Sequence, residues 1–206
     1  MTEEKQLQPV DSPMADHNAE DMDRFFKFLG EFNQESDRAA VILGAARLDE
    51  TLYQLLSATL VPSTSARDEL LDSDGPLGTF SARIHVAYRL GLLDAEMTRA
   101  LHLVRRIRNS FAHEVGGCTL DTGAHADRVK ELAAPFRRYK QYAEARSWLD
   151  KQEHSGLSAE FRTIIAVLSL RIEGGLADST RIAADPISLI PPIWMSPVDT
   201  GAKGGG

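Results

Sequence analysis

Cysteine is almost missing from this sequence: Cys118 is the only one among 206 residues. A single thiol excludes an intrachain disulfide, and no cysteine-based zinc site is expected from it. Long apolar runs are missing too. No stretch reaches the roughly eighteen residues that a membrane-spanning helix requires, so no membrane partner is expected. The first residues, "MTEEKQLQPVDSPMADHNAEDMD", are acidic and polar, the reverse of a signal peptide's basic start and apolar middle. These absences lead to the expectation of a cytoplasmic protein. Basic charge is in deficit as well, with 23 Lys and Arg against 30 Asp and Glu and a net charge of -7. Binding to duplex DNA leans on phosphate contacts from a strongly basic face, so this balance argues against non-specific DNA binding. A local basic patch stays open.

Several chemical signatures are lacking. Alternating strand patterns are scarce, and neither a strong hairpin signal nor a repeat occurs. "DSDGPLG" has too few glycines and no lysine to cradle a phosphate. Ser81 and Ser110 lack the strand-turn-helix setting of a nucleophile elbow. His85, His102 and His125 have no histidine at i+4 and no matching carboxylate pattern, so neither a metal nor a cofactor is expected.

What is present is helical rhythm. The hydrophobic fraction of 43% and charged fraction of 26% are those of a soluble globular protein. Phe25, Phe28, Leu29 and Phe32 make the stripe of a short first helix. A long helix follows, with Asn33 and Ser36 as cap candidates. Ala45, Leu48, Leu52, Leu55, Leu56 and Leu60 form its apolar face, and Pro62 stops it. "ARDELLD" reads as a shorter helix leading to the Gly75-Pro76 turn. The next helix carries Phe80, Ile84, Ala87, Tyr88 and Leu92 and ends near Gly91. Another, capped by Asp94, runs Met97, Leu101, Val104, Arg108 and Phe111 down one stripe to Gly116-Gly117. "CTLDTGAHADRV" reads as a loop, and the helix after it is bent or restarted at Pro135. A last helix is expected with Ser158 as cap and Gly174-Gly175 as stop.

The fold class expected is therefore an all-α bundle of about six to seven helices. Residues 1–22 are expected to be a disordered acidic leader, 23–150 a helical core, 151–178 a C-terminal helix packed on that core, and 179–206 an extended Pro- and Gly-rich tail. The tail's Ile187, Leu189, Ile190, Ile193, Trp194 and Met195 are too apolar for a solvated end. They suit an arm packed on the body or a segment that binds a protein partner.

The chemistry-bearing stretch is "RRIRNSFAHE". Arg105, Asn109 and His113 fall at i, i+4 and i+8 and share a helix face. Arg108, on the apolar stripe, would need acidic partners, for which Asp49, Glu50, Asp72 and Asp74 are candidates. Three readings stand: a helix end tied down by hydrogen bonds, a ligand or partner site, or a catalytic group. "RVKELAAPFRRYKQYAEAR" is the one basic stretch of note. Its Arg128, Lys130, Arg137, Arg138 and Lys140 form either a solvated face or a nucleic-acid patch.

"LLDSDGPLGTFSARIHVAYRLGLL" followed by "LHLVRRIRNSFAHE" resembles the mannitol operon repressor (MltR-like) family of bacterial proteins. The resemblance covers about residues 25 to 145. It implies an all-helical fold and a role in transcriptional control of sugar-alcohol uptake, with no evident DNA-reading motif. Arg108, four intervening residues and His113 are also similar to the R-x(4–6)-H motif of the HEPN superfamily, many of whose members are metal-independent ribonucleases with two motifs meeting in a dimer cleft. That likeness implies that His113 takes the proton from a ribose 2′-OH, that Arg108 holds the phosphate and that Asn109 orients either group. The leading expectation is a non-enzymatic regulator, a homodimer working through a protein partner or a ligand that meets Arg105, Arg108, Asn109 and His113. The alternative is a HEPN-like endoribonuclease, a toxin or phage-defence effector acting on RNA.

Overall fold

The computed structural model describes residues 25, 27–114, 117–150 and 155–182. The expected leader at 1–22 and the apolar residues of the tail lie outside them. All the regular secondary structure among the described residues is helical, with no strand, in the order α1 (27–32), α2 (Asp37–Thr59), α3 (Phe80–Arg89), α4 (Ala95–His113), α5 (Gly123–Ala133), a 3-10 turn (Phe136–Arg138), α6 (Lys140–Asp150) and α7 (Gly156–Ala177). The all-α bundle expected from the apolar periodicity is what the chain adopts.

Three helix starts, those of α2, α3 and α4, follow side-chain capping. Ser36 Oγ accepts from the Ala39 N–H at 3.3 Å, Thr79 Oγ1 from Ala82 at 3.2 Å and Asp94 Oδ1 from Met97 at 2.7 Å. Each satisfies one of the N–H groups a first turn leaves without a partner. Gly91, at φ +75°, turns the chain out of α3 where a residue with a Cβ would be strained.

The core sits around α7. A helix with one apolar stripe rests on a surface, but a helix buried around its circumference lies inside. Residues 161–169 of α7 are all buried, and α2, α5 and α6 pack around it. Gly44 of α2 makes the closest approach, since a Cβ there would meet Ile165 at 3.0 Å. α4 packs on α2, α3 and α5. The sequence treats α7 as an amphipathic addition, but it is the centre.

Four local expectations are corrected. "ARDELLD" is not helical; residues 68–79 form consecutive turns. Asp68 Oδ1 accepts from the N–H groups of Leu70 and Leu71, both at 3.0 Å, which ends the local helix tendency in a side-chain-capped turn. α5 begins at Gly123, inside the segment read as a loop, and α7 runs through Gly174-Gly175 to Ala177. Ser158 does not cap α7, which starts two residues earlier. Its hydroxyl donates to Asp37 Oδ1 at 2.6 Å instead.

Candidate functional site at the C-terminal end of helix α4

α4 buries Ala100, Leu101, Leu103, Val104, Ile107 and Phe111. The stripe therefore passes through Ile107, not Arg108 as the spacing suggested. One residue on, about 100° round the helix, Arg108 is exposed and its Nη1 donates to Asn109 Oδ1 at 3.0 Å. The acids proposed for it are engaged elsewhere. Asp49 accepts from Arg83 at 2.7 Å, Asp72 from Arg67 at 2.7 Å, Asp74 also from Arg67, and Glu50 from Gln54 at 3.0 Å. His113 is exposed in the last turn of α4 and makes no hydrogen bond to a described residue. Arg105 and Asn109 are half-buried. Arg105 lines a groove of about 580 Å³ with His85, Arg99, His102, Arg106 and Glu131, a place removed from His113 by two turns of helix. The rings of His85 and His102 are 4.7 Å apart. Burial lowers the His102 pKa, helped by the positive potential of His85, Arg105 and Arg106.

The basic stretch is neutralised by its surroundings. Arg137 donates to Glu160 at 2.6 and 2.8 Å, Arg138 to Glu96 at 2.6 and 2.7 Å, and Lys140 lies 3.0 Å from Glu144. Lys130 is 3.8 Å from Asp127, and Arg128 donates to Ser110 Oγ at 3.2 Å. Of the stretch's six cations, Lys130, Arg137, Arg138 and Lys140 each face a carboxylate, so the field of those four is small.

A different group assembles just beyond His113. Glu114 follows as the C-cap of α4, Cys118 lies on the connection to α5, and His125 stands in the first turn of α5. Cys118 Sγ donates to Glu114 Oε2 at 2.7 Å, and His125 Nε2 is 3.1 and 3.2 Å from the two oxygens of the same carboxylate. Hydrogen bonds from Cys118 and then His125 hold the Glu114 carboxyl below its usual range, while the shared proton pushes the Cys118 thiol up. His125 is 7% exposed, its ring stacked obliquely on Phe111 at 4.4 Å between centroids. Its Nδ1 is buried without a hydrogen-bond partner among the described residues. Arg38 of α2 closes the group. Its Nη1 donates to Phe111 O and its Nη2 to Glu114 O, both at 2.6 Å, and Nη2 also lies 3.4 Å from Cys118 Sγ. These are carbonyls that the end of α4 leaves open.

Sequence spacing misses this cluster because its members come from a cap, a connection and another helix. The i+4 search for metal ligands fails at His125, yet a carboxylate and a thiol stand beside it. Two other cations were missed: Arg83, 9% exposed, and Arg162, 1% exposed, each paired across the bundle. The available signal was an arginine placed inside an apolar run.

No protein-family model matches the sequence, and no curated protein matches it. Among solved structures, the protein is similar to a chain in the X-ray structure of the MtlR-HPr complex from Escherichia coli, with a TM-score of 0.54 and 18% identity. The match covers 72% of this chain and 97% of the other, and it shows that the two share a fold.

Proposed function

We propose that the protein is a non-enzymatic bacterial transcriptional regulator of the mannitol operon repressor type, cytoplasmic and homodimeric, which acts through a protein partner and does not itself read an operator. The observation that carries this reading is the fold likeness, which spans 97% of a chain found in a complex with HPr. Charge agrees with it. The net charge is -7, and the one basic stretch is matched by Glu96, Asp127, Glu144 and Glu160. A direct operator reader needs a basic recognition helix free to enter a groove.

The partner proposed is an HPr-type protein. Purified protein mixed with HPr from the same bacterium should elute as a complex in size-exclusion chromatography with light scattering, and the protein alone should elute as a dimer. Failure to bind HPr, together with a sequence-specific shift of DNA by the protein alone, would overturn the reading.

A second reading has its own support. Arg108 and His113 are both exposed at one helix end, Asn109 holds Arg108, and among the described residues neither is spent in an ion pair. Those are the residue types that a metal-independent ribonuclease needs, the imidazole as base and the guanidinium on the phosphate. Total RNA incubated with the protein in excess chelator separates the two. Cleavage that is lost in His113→Ala would replace the regulator with the ribonuclease.

A further inference from the structure

Glu114, Cys118 and His125 each present one donor atom, and the three atoms lie within 4.8 Å of one another. Thiolate, imidazole and carboxylate together form a donor set for zinc-class ions, whereas calcium and magnesium take oxygen. We propose that these three side chains form a mononuclear site for a divalent transition ion of the zinc class, leaving its fourth position open.

The geometry is close to what such an ion requires. Zinc bond lengths set ligand-to-ligand separations of roughly 3.4–3.6 Å in a tetrahedron. Here the same oxygen, Glu114 Oε2, lies 2.7 Å from the Cys118 sulfur and 3.2 Å from His125 Nε2. These separations are held by protons, and an ion in their place widens each by less than about 1 Å. Glu114 can supply that movement, because its side chain is exposed at a helix end while His125 is packed on Phe111. Coordination needs the Nε2 lone pair, so the ring proton that Nε2 shares with Glu114 moves to Nδ1, which is buried without a partner among the described residues; the bond to Glu114 that is given up is replaced by the ion both groups share.

Charge balances at the site. Binding exchanges the Cys118 proton for the ion: the S–H bond breaks, an S–metal bond forms, and one proton leaves to solvent. Thiolate and carboxylate together then match the double positive charge. Arg38 does not compete. Its guanidinium faces the negative end of α4 through Phe111 O and Glu114 O, and it offers Nη2 to the coordinated sulfur at 3.4 Å as an outer hydrogen bond. The bound ion would join the end of α4 to the start of α5 directly beside His113.

The test uses tag-free, full-length protein stripped with chelator, titrated with zinc in a calorimeter and with cobalt(II) in a spectrophotometer. One ion per chain is expected, with a thiolate-to-cobalt charge-transfer band in the near ultraviolet. Cys118→Ser should abolish the band, and both it and Glu114→Gln should weaken zinc binding by more than the roughly 10–100-fold that an outer group is worth. Arg38→Lys should weaken it within that range. His85→Gln with His102→Gln, at the other histidine pair, should leave it unchanged. Circular dichroism of each variant confirms that the helices persist. Binding well below one ion per chain, or affinity that survives Cys118→Ser and Glu114→Gln undiminished, overturns the proposal and leaves the group a hydrogen-bonded clasp.

Discussion

Arg162, in the second turn of α7, reaches across the bundle to Asp37 in the first turn of α2, with Nη1 3.3 Å from Oδ1. Its Nη2 donates to Glu35 O at 2.6 Å, and its guanidinium lies 5.8 Å over the Phe32 ring. A buried cation without such partners would be prohibitive. The pair therefore sets how the central helix meets the start of α2. Arg162→Ala is expected to destabilise by about 3–5 kcal/mol, the cost of breaking a buried pair. Urea unfolding of the two proteins would measure it, and a loss below about 1 kcal/mol would contradict the assignment.

Asp37 makes stability acid-sensitive. Burial alone would raise its pKa, but the Leu120 N–H, the Ser158 hydroxyl and Arg162 outweigh burial and lower it from the ordinary 3.8. A carboxyl that titrates lower when folded lends stability that is complete above 3.8 and is lost as pH falls through the folded value. Asp37→Asn should therefore melt well below the parent at neutral pH, with the gap closing as both are taken into the acid range. A gap independent of pH would contradict this.

Glycines in the turn segment and in the central helix should respond in opposite directions. A Cβ at Gly75 would meet Glu69 O at 2.5 Å, and one at Gly78 would meet Asp72 O at 2.5 Å. Backbone carbonyls cannot swing aside as a side chain can. Either substitution by alanine should cost about 1–3 kcal/mol or more. Gly174 lies within α7 with open space for at least 4 Å around where a Cβ would stand, so Gly174→Ala should stabilise by about 0.5–1 kcal/mol. Thermal melts of the three variants read both signs.

Arg83 ties that turn segment to the bundle, donating to Asp49 Oδ1 at 2.7 Å and to Leu71 O at 3.0 Å. Losing these charged hydrogen bonds in Arg83→Met should cost about 1.5–3 kcal/mol. Hydrogen exchange should show residues 68–79 opening before the helices do.

His113→Ala and Arg108→Ala should change stability by no more than about 0.5–1 kcal/mol, since both residues are exposed and His113 offers little beyond its interaction with the helix dipole. A larger fall in melting temperature would assign the pair to scaffolding. An unchanged melt with altered RNA or partner binding would assign it to function.

Much of the fold was legible in the sequence because periodicity and capping are local. The Asp94 cap, the Gly91 exit and the break at Pro135 were readable one turn at a time. The stripe on α4 was legible except at one step: Ile107 and Arg108 are neighbours, and spacing alone could not say which of them turns inward. The segment "ARDELLD" has helical composition, yet Asp68 captures its own backbone and makes a turn.

By itself the sequence determined the helical class, the ends of several helices, and the gathering of Arg108, Asn109 and His113 in the last turns of α4. These follow from interactions between residues a few positions apart. Only the tertiary structure decided that α7 is the centre, that Arg83 and Arg162 are buried and paired, and that Glu114, Cys118 and His125 face one another under Arg38. Those outcomes depend on which helices pack together. Contacts between elements distant in the chain leave no periodic trace along it.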